Sequence, residues 1–107
     1  MQYPYPKIIA HRGGGNQAPE NTLAAFQLGI QRGYRMFECD AKLSADDLLF
    51  LLHDDTLERT TSGQGSARIN WAQLNRLDAG SWFGTNFTQE PIPLLESIVR
   101  LVLDNHA

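Results

Sequence analysis

Two extended runs, residues 35–43 and 48–53, are separated only by Ser44-Ala45-Asp46-Asp47. A four-residue link can join antiparallel strands, whereas two parallel strands of one sheet need a crossover of about a dozen residues. The second run is therefore read as half of a hairpin and as the start of an insertion over about residues 43–91, not as the next strand of a parallel sheet. On either side of that insertion the pattern is α/β. Residues 7–10, with Ile8 and Ile9, read as a short buried strand that stops at His11-Arg12-Gly13-Gly14-Gly15. Pro19-Glu20-Asn21-Thr22 then opens a helix, with Asn21 or Thr22 as cap and Glu20 at the positive end of the dipole. Leu23, Phe26 and Ile30 recur at helical spacing and Gly33 supplies the stop, so the helix is expected to run to about Arg32.

The alternation in residues 35–43 places Met36, Glu38, Asp40 and Lys42 on one face of a single strand, with Phe37, Cys39, Ala41 and Leu43 on the other. Within the insertion one short helix is expected, capped by Asn70 with Gln73 completing a capping box and ended by Gly80. Trp82, Phe83 and Phe87 are expected to anchor the loops around it. Pro93 opens a last helix through about Asp104, and Leu94, Leu95, Ile98, Val99, Leu101 and Val102 give it a broad apolar face suited to packing on a sheet.

Composition removes several classes of function. Nine Lys and Arg against 12 Asp and Glu, a net charge of −3, lack the basic field that binding to DNA or RNA requires. The longest apolar run, residues 48–52, is far short of the roughly 20 residues of a membrane-spanning helix. The first residues carry no basic head and apolar core of an export signal, and the single cysteine, Cys39, has no intramolecular partner. A reducing, cytoplasmic setting is the resulting expectation. At 107 residues the chain is also too short to complete an architecture of about 250 residues such as a closed (β/α)₈ barrel.

Three clusters carry chemistry: His11-Arg12 after the first strand, Glu38 with Asp40 on the second, and His53-Asp54 at the end of the hairpin. In parallel α/β folds ligands bind at the carboxyl ends of strands, where the first two clusters fall. Two carboxylates two residues apart on an inward face repel each other unless a cation neutralises them, and hard oxygen donors favour Mg²⁺, Ca²⁺ or Mn²⁺. The same pair is also compatible with an edge strand facing water. A lone histidine after a strand is more often structural, yet Arg12 beside His11 suits a phosphate oxygen pair, and His53 offers a second imidazole. Cleavage of a phosphodiester needs a base, an acid and positive charge on the phosphoryl oxygens, all of which this set contains. Cys39 lies on the opposite face and reads as a core thiol, His106 sits in the last two residues, and the three glycines lack dinucleotide-loop spacing.

Taken in order, His11-Arg12-Gly13, Pro19-Glu20-Asn21-Thr22, Glu38-x-Asp40, His53-Asp54-x-x-Leu57-x-Arg59-Thr60-Thr61 and Ile92-Pro93-x-Leu95-Glu96 resemble the glycerophosphodiester phosphodiesterase family over nearly the whole chain. The resemblance implies an α/β fold, the N-terminal portion of a (β/α)₈ TIM barrel with about two βα units plus a family insertion. It implies metal-dependent hydrolysis of small glycerophosphodiesters to sn-glycerol 3-phosphate and an alcohol, with the glycerol hydroxyl as a first nucleophile in family mechanisms. It assigns His11 and His53 as general acid and base, Arg12 to the phosphate, Glu38 and Asp40 to a divalent cation, Mg²⁺ or Ca²⁺, and Glu20 and Asn21 to supporting hydrogen bonds.

Two departures are local. Asp46-Asp47 replaces the family's Asp-Gly in the hairpin turn, so Asp47 must take a turn conformation that glycine adopts more easily, and residues 48–52 are leucine-rich where the family is β-branched. The family's third carboxylate, in a Glu-x-Lys motif of the next strand, is expected just beyond Ala107. Two alternatives follow: a truncated, inactive piece that binds or self-associates, and a phospholipase D-like relative that cyclises lysophospholipids.

Overall fold

The computed structural model describes residues 9–105. Strand β1, Ala10–His11, pairs in parallel with β2, Phe37–Glu38, in the register Ala10 with Phe37 and His11 with Glu38. Helix α1, Leu23–Gln31, connects them and completes a βαβ unit. Thr22 is its cap: the hydroxyl accepts from the Ala25 N–H at 3.2 Å, and the chain leaves through Gly33 as the spacing predicted. The loop after β1 lies so close to α1 that a Cβ on Gly29 would come 2.5 Å from the Gly13 carbonyl and 2.7 Å from the Phe37 ring. Lys7 and Ile8 of the expected first strand lie outside the described residues. Of the rest, Ala10 is buried but Ile9 is exposed, and His11 belongs to the strand itself.

The single strand expected over residues 35–43 is two strands in two sheets. Strand β3, Ala41–Leu43, pairs antiparallel with β4, Leu49–Leu51, and the break falls at Cys39 and Asp40. The cause is the length of β1: the chain turns away after His11, so β2 loses its partner beyond Glu38. Asp40 is then held by side-chain bonds from Asn21, and its carbonyl accepts from Leu52 N–H at 3.0 Å. Ala41 and Leu43, read as part of the strand's apolar face, are exposed.

The hairpin itself forms as the short link requires. Asp47 takes φ +68°, and the Ser44 hydroxyl holds the turn by accepting from Leu48 N–H at 2.9 Å and donating to Asp46 Oδ1 at 2.6 Å. Strand β4 is covered on its other edge as well, because Leu51 N–H donates to the Pro93 carbonyl at 3.1 Å and Phe50 bridges Leu94. The insertion thus returns to β4 before the last helix, α3, Leu95–Asp104, begins. Ile98 of α3 is buried with Phe26 of α1 and Leu51, while Val99 and Leu103 remain exposed. Among the described residues no helix is long and apolar enough to cross a membrane.

Inside the insertion, α2 spans only Trp71–Leu74, with the Asn70 N–H donating to the Gln73 carboxamide at 3.2 Å. It does not continue to Gly80. That glycine instead packs under residues 87–90, where a Cβ would collide with the Phe87 carbonyl and meet the Glu90 side chain at 2.7 Å. Nor are the aromatics the anchor. Trp82 and Phe83 are exposed at 41% and 36% and stack edge-to-face in a surface row with Phe87. The segment is held by buried Leu57, Leu74 and Ile92 and by Asp78, whose carboxylate accepts from the N–H groups of Gly80, Ser81 and Gln89.

Candidate active site

The parallel register sets His11 beside Glu38 at the carboxyl ends of β1 and β2, with His11 Nε2 3.7 Å from Glu38 Oε2. Arg12 leaves the strand at φ +52°, a left-handed conformation that costs a non-glycine residue about 1 kcal/mol or more. That turn points its backbone N–H at Glu38 Oε1 (3.2 Å) and lets the guanidinium reach two further carboxylates. NH1 donates to Glu20 Oε1 at 3.1 Å, and Nε lies 3.3 Å from Asp40 Oδ2. Arg12 Nε is buried and has no aligned acceptor, so its approach to Asp40 is a close ion pair without a hydrogen bond.

Asn21 is the second left-handed residue here, at φ +58°, and it is 3% exposed. Its amide binds Asp40 in both directions: Nδ2 donates to Asp40 Oδ2 at 3.0 Å and Oδ1 accepts from Asp40 N–H at 3.2 Å. Its own N–H donates to the Arg12 carbonyl at 2.9 Å. Glu38 and Asp40 therefore do not converge as alternate residues of one regular strand. Each is brought to Arg12 separately, one by the β1–β2 register and the other by Asn21.

The hairpin end supplies the other half. His53 Nδ1 is 2.8 Å from Asp54 Oδ1, and the Arg59 guanidinium donates to Asp54 Oδ2 (2.8 Å) and to both oxygens of Glu20 (3.0 and 2.9 Å). Glu20 is thus shared between Arg12 and Arg59, and an unbroken set of polar contacts runs from His11 through Glu38, Arg12, Glu20, Arg59 and Asp54 to His53. The hydrogen bonds from Arg59, and next from His53, hold the Asp54 carboxyl well below the usual range. Asp54 and then Glu20 push the Arg59 guanidinium above its already high value. Sequence reasoning singled out every member of this set except Arg59, to which it gave no role, and it gave Asp54 none beyond adjacency. The available signal was Arg59 lying five residues after Asp54 in the same motif.

Both imidazoles are open to solvent, His11 at 63% and His53 at 45% side-chain exposure. Glu38 and Asp40, 44% and 28% exposed, are hard oxygen donors around one cationic side chain and fit a divalent cation of the Mg²⁺ or Ca²⁺ kind. Among the described residues they have no third His, Cys, Asp or Glu grouped with them in a metal-binding arrangement. Cys39, read as a core thiol, is only half-buried and packs against the core of Phe26, Leu51 and Ile98. Burial, and then the charges of Glu38 and Asp40, push its pKa up.

The family model for glycerophosphoryl diester phosphodiesterases matches residues 11–107, a span that begins at His11 and takes in every residue of this network. The chain belongs to the glycerophosphoryl diester phosphodiesterase family. It is 45% identical over 94 residues to YhdW of Bacillus subtilis, a protein named as a candidate glycerophosphodiester phosphodiesterase, covering 87% of this chain and 39% of that one. It is 40% identical over 98 residues to the glycerophosphodiester phosphodiesterase of Caldanaerobacter subterraneus, covering 91% of this chain and 40% of the relative. A phosphodiesterase from Oleispira antarctica, solved with its product sn-glycerol-3-phosphate, superposes with a TM-score of 0.91 at 44% identity over 94% of this chain and 41% of its own. The chain spans about two-fifths of the length of these relatives. The fold is α/β and is that of the N-terminal portion of the family's (β/α)₈ barrel, as the resemblance implied.

Proposed function

We propose that these residues carry part of a metal-dependent active site that hydrolyses glycerophosphodiesters to sn-glycerol 3-phosphate and an alcohol. The observation that carries this reading is the contact network joining both histidines, the arginine and both carboxylates at the open end of the parallel strand pair. The product bound to the Oleispira antarctica relative supports the substrate class. Arg12 binds the phosphate: NH1 and Nε are committed to Glu20 and Asp40, and NH2, in none of these contacts, remains for a phosphoryl oxygen. His11 and His53 serve as the acid and base of the displacement. Glu38 and Asp40 hold the cation, Mg²⁺ or Ca²⁺, which when bound supplies positive charge for the phosphoryl oxygens. Glu20 and Asn21 support the site by fixing Arg12 and Asp40. A reducing, cytoplasmic setting belongs to the same reading and is supported by the lone Cys39.

The test is release of glycerol 3-phosphate from glycerophosphocholine by the protein expressed from its own coding sequence. His11→Ala and His53→Ala are each expected to lower kcat/KM by roughly 100-fold or more, the typical contribution of a general acid or base. Activity of either variant within twofold of wild type would overturn the assignment.

A further inference from the structure

Arg59 touches neither histidine nor either proposed metal ligand, and yet two parts of the site meet on it. Arg59 receives Glu20 from the loop before α1 on one side and Asp54 from the insertion on the other, through four hydrogen bonds of 2.8–3.0 Å. Asp54 is held ionised by these bonds, and an ionised carboxylate only accepts hydrogen bonds. The proton between Asp54 Oδ1 and His53 Nδ1 therefore sits on Nδ1, which leaves Nε2 as the lone-pair nitrogen of the neutral ring.

We propose that Arg59 is a positioning residue for His53: its guanidinium, braced by Glu20, orients Asp54 so that the imidazole is fixed as the Nδ1–H tautomer with Nε2 turned to the substrate. The proposal rests on the diester-hydrolase reading for its consequence in turnover, but the tautomer itself is defined without substrate. Four N–H bonds to two carboxylates need a planar fork. A lysine at this position keeps the charge and loses the geometry. The loop before α1 and the insertion are 39 residues apart at Glu20 and Arg59, so the same fork also sets the distance of His53 from the Arg12 phosphate site, through the carboxylate that Arg12 shares.

The experiment reads the ¹⁵N shifts of the His53 ring at a pH where the imidazole is neutral, assigned by loss of its signals in His53→Ala. Wild type is expected to show one tautomer, protonated at Nδ1. Asp54→Asn, whose amide can donate to Nδ1, is expected to move the proton to Nε2, and Arg59→Met is expected to give a mixture of the two. In turnover, Arg59→Met is expected to lose about 10–100-fold in kcat, the range seen when a partner that orients an imidazole is removed, with KM within about threefold. Arg59→Lys is expected to restore less than half of that loss. Far-UV circular dichroism checks that each variant is folded, and Arg59→Lys provides the same tautomer reading if the methionine variant is not. A His53 tautomer unchanged in Arg59→Met and Arg59→Lys, or an Nε2–H tautomer in wild type, overturns the proposal. Wild-type protein without diesterase activity overturns the functional reading instead, and the ring shifts still decide the role of Arg59.

Discussion

Phe50 and Leu51 are neighbours in the chain and belong to different cores. Phe50 points into the insertion, where it is buried with Leu52, Leu57, Ala67, Leu74, Ala79 and Ile92. Leu51 points the other way and is buried with Phe26 of α1 and Ile98 of α3. Period-two alternation on one short strand thus makes β4 the wall between two hydrophobic units. The insertion, which reads as the looser part because it is mostly loop, has the larger buried cluster. The βα unit has a smaller one and leaves Val99 and Leu103 of α3 exposed. A segment rich in Thr, Ser, Gly and Asn can be rigid when each turn is closed by its own side chains, as Asp78 and Ser44 do here. These closed turns are what let an insertion present His53 and Arg59 to residues that follow the first strand.

The largest effect that bears on this comparison is expected from truncating the two neighbours. Phe50→Ala and Leu51→Ala should each destabilise the protein by about 2–5 kcal/mol, read by urea unfolding. Their native-state hydrogen exchange should differ, with Phe50→Ala speeding exchange at Leu57 and Leu74 first and Leu51→Ala at Phe26 and Ile98. Matching exchange patterns in the two variants would show one core rather than two.

A smaller effect is expected on the βα side from Asn21→Gly. Glycine accepts the left-handed backbone and removes the amide that clasps Asp40, leaving its N–H without a partner. A loss of about 1–3 kcal/mol is expected, together with weaker metal-dependent activity, measured by thermal melting and by titration of the cation. If stability falls and the cation dependence does not move, Asn21 serves the fold alone.

The mildest test is acid. Asp46, Asp54, Glu58 and Asp78, all in the insertion, are held below the usual carboxylate range. The chief causes are the Ser44 hydroxyl for Asp46, Arg59 for Asp54, the Gly65 N–H for Glu58 and the Ser81 hydroxyl for Asp78. A carboxyl whose folded pKa is lowered stabilises the fold fully above its unfolded value of about 4, and the contribution is lost as pH falls through that value and below it. Thermal stability is therefore expected to fall from pH 5 to pH 2, with a shallower slope in Asp78→Asn. A parallel slope in that variant would remove Asp78 from the explanation.

Much of the site was legible in the chain because its residues lie in short local motifs whose chemistry depends on side-chain type. The hairpin was legible because four residues cannot span a parallel crossover. The split of residues 35–43 was not, because alternation of polar and apolar residues looks the same whether one sheet or two receives the strand. The Trp82–Phe83–Phe87 row misled for a related reason: aromatic content signals burial only on average, and here small residues and Asp78 close the loops from within. The α1 N-terminus gives a further case, since the Ala24 N–H donates to Glu90, 66 residues later, at 3.3 Å.

By itself, then, the sequence determined the inventory: a βαβ beginning, an interrupting hairpin, two imidazoles, a phosphate-type arginine and a carboxylate pair. Only the tertiary structure decided how they are joined. Glu38 reaches Arg12 through strand register, Asp40 through the Asn21 amide, and His53 through Arg59 and the shared Glu20. The physical reason is that side-chain type is a property of each residue alone, whereas a hydrogen bond between residues 39 positions apart exists only once packing has fixed both ends in space.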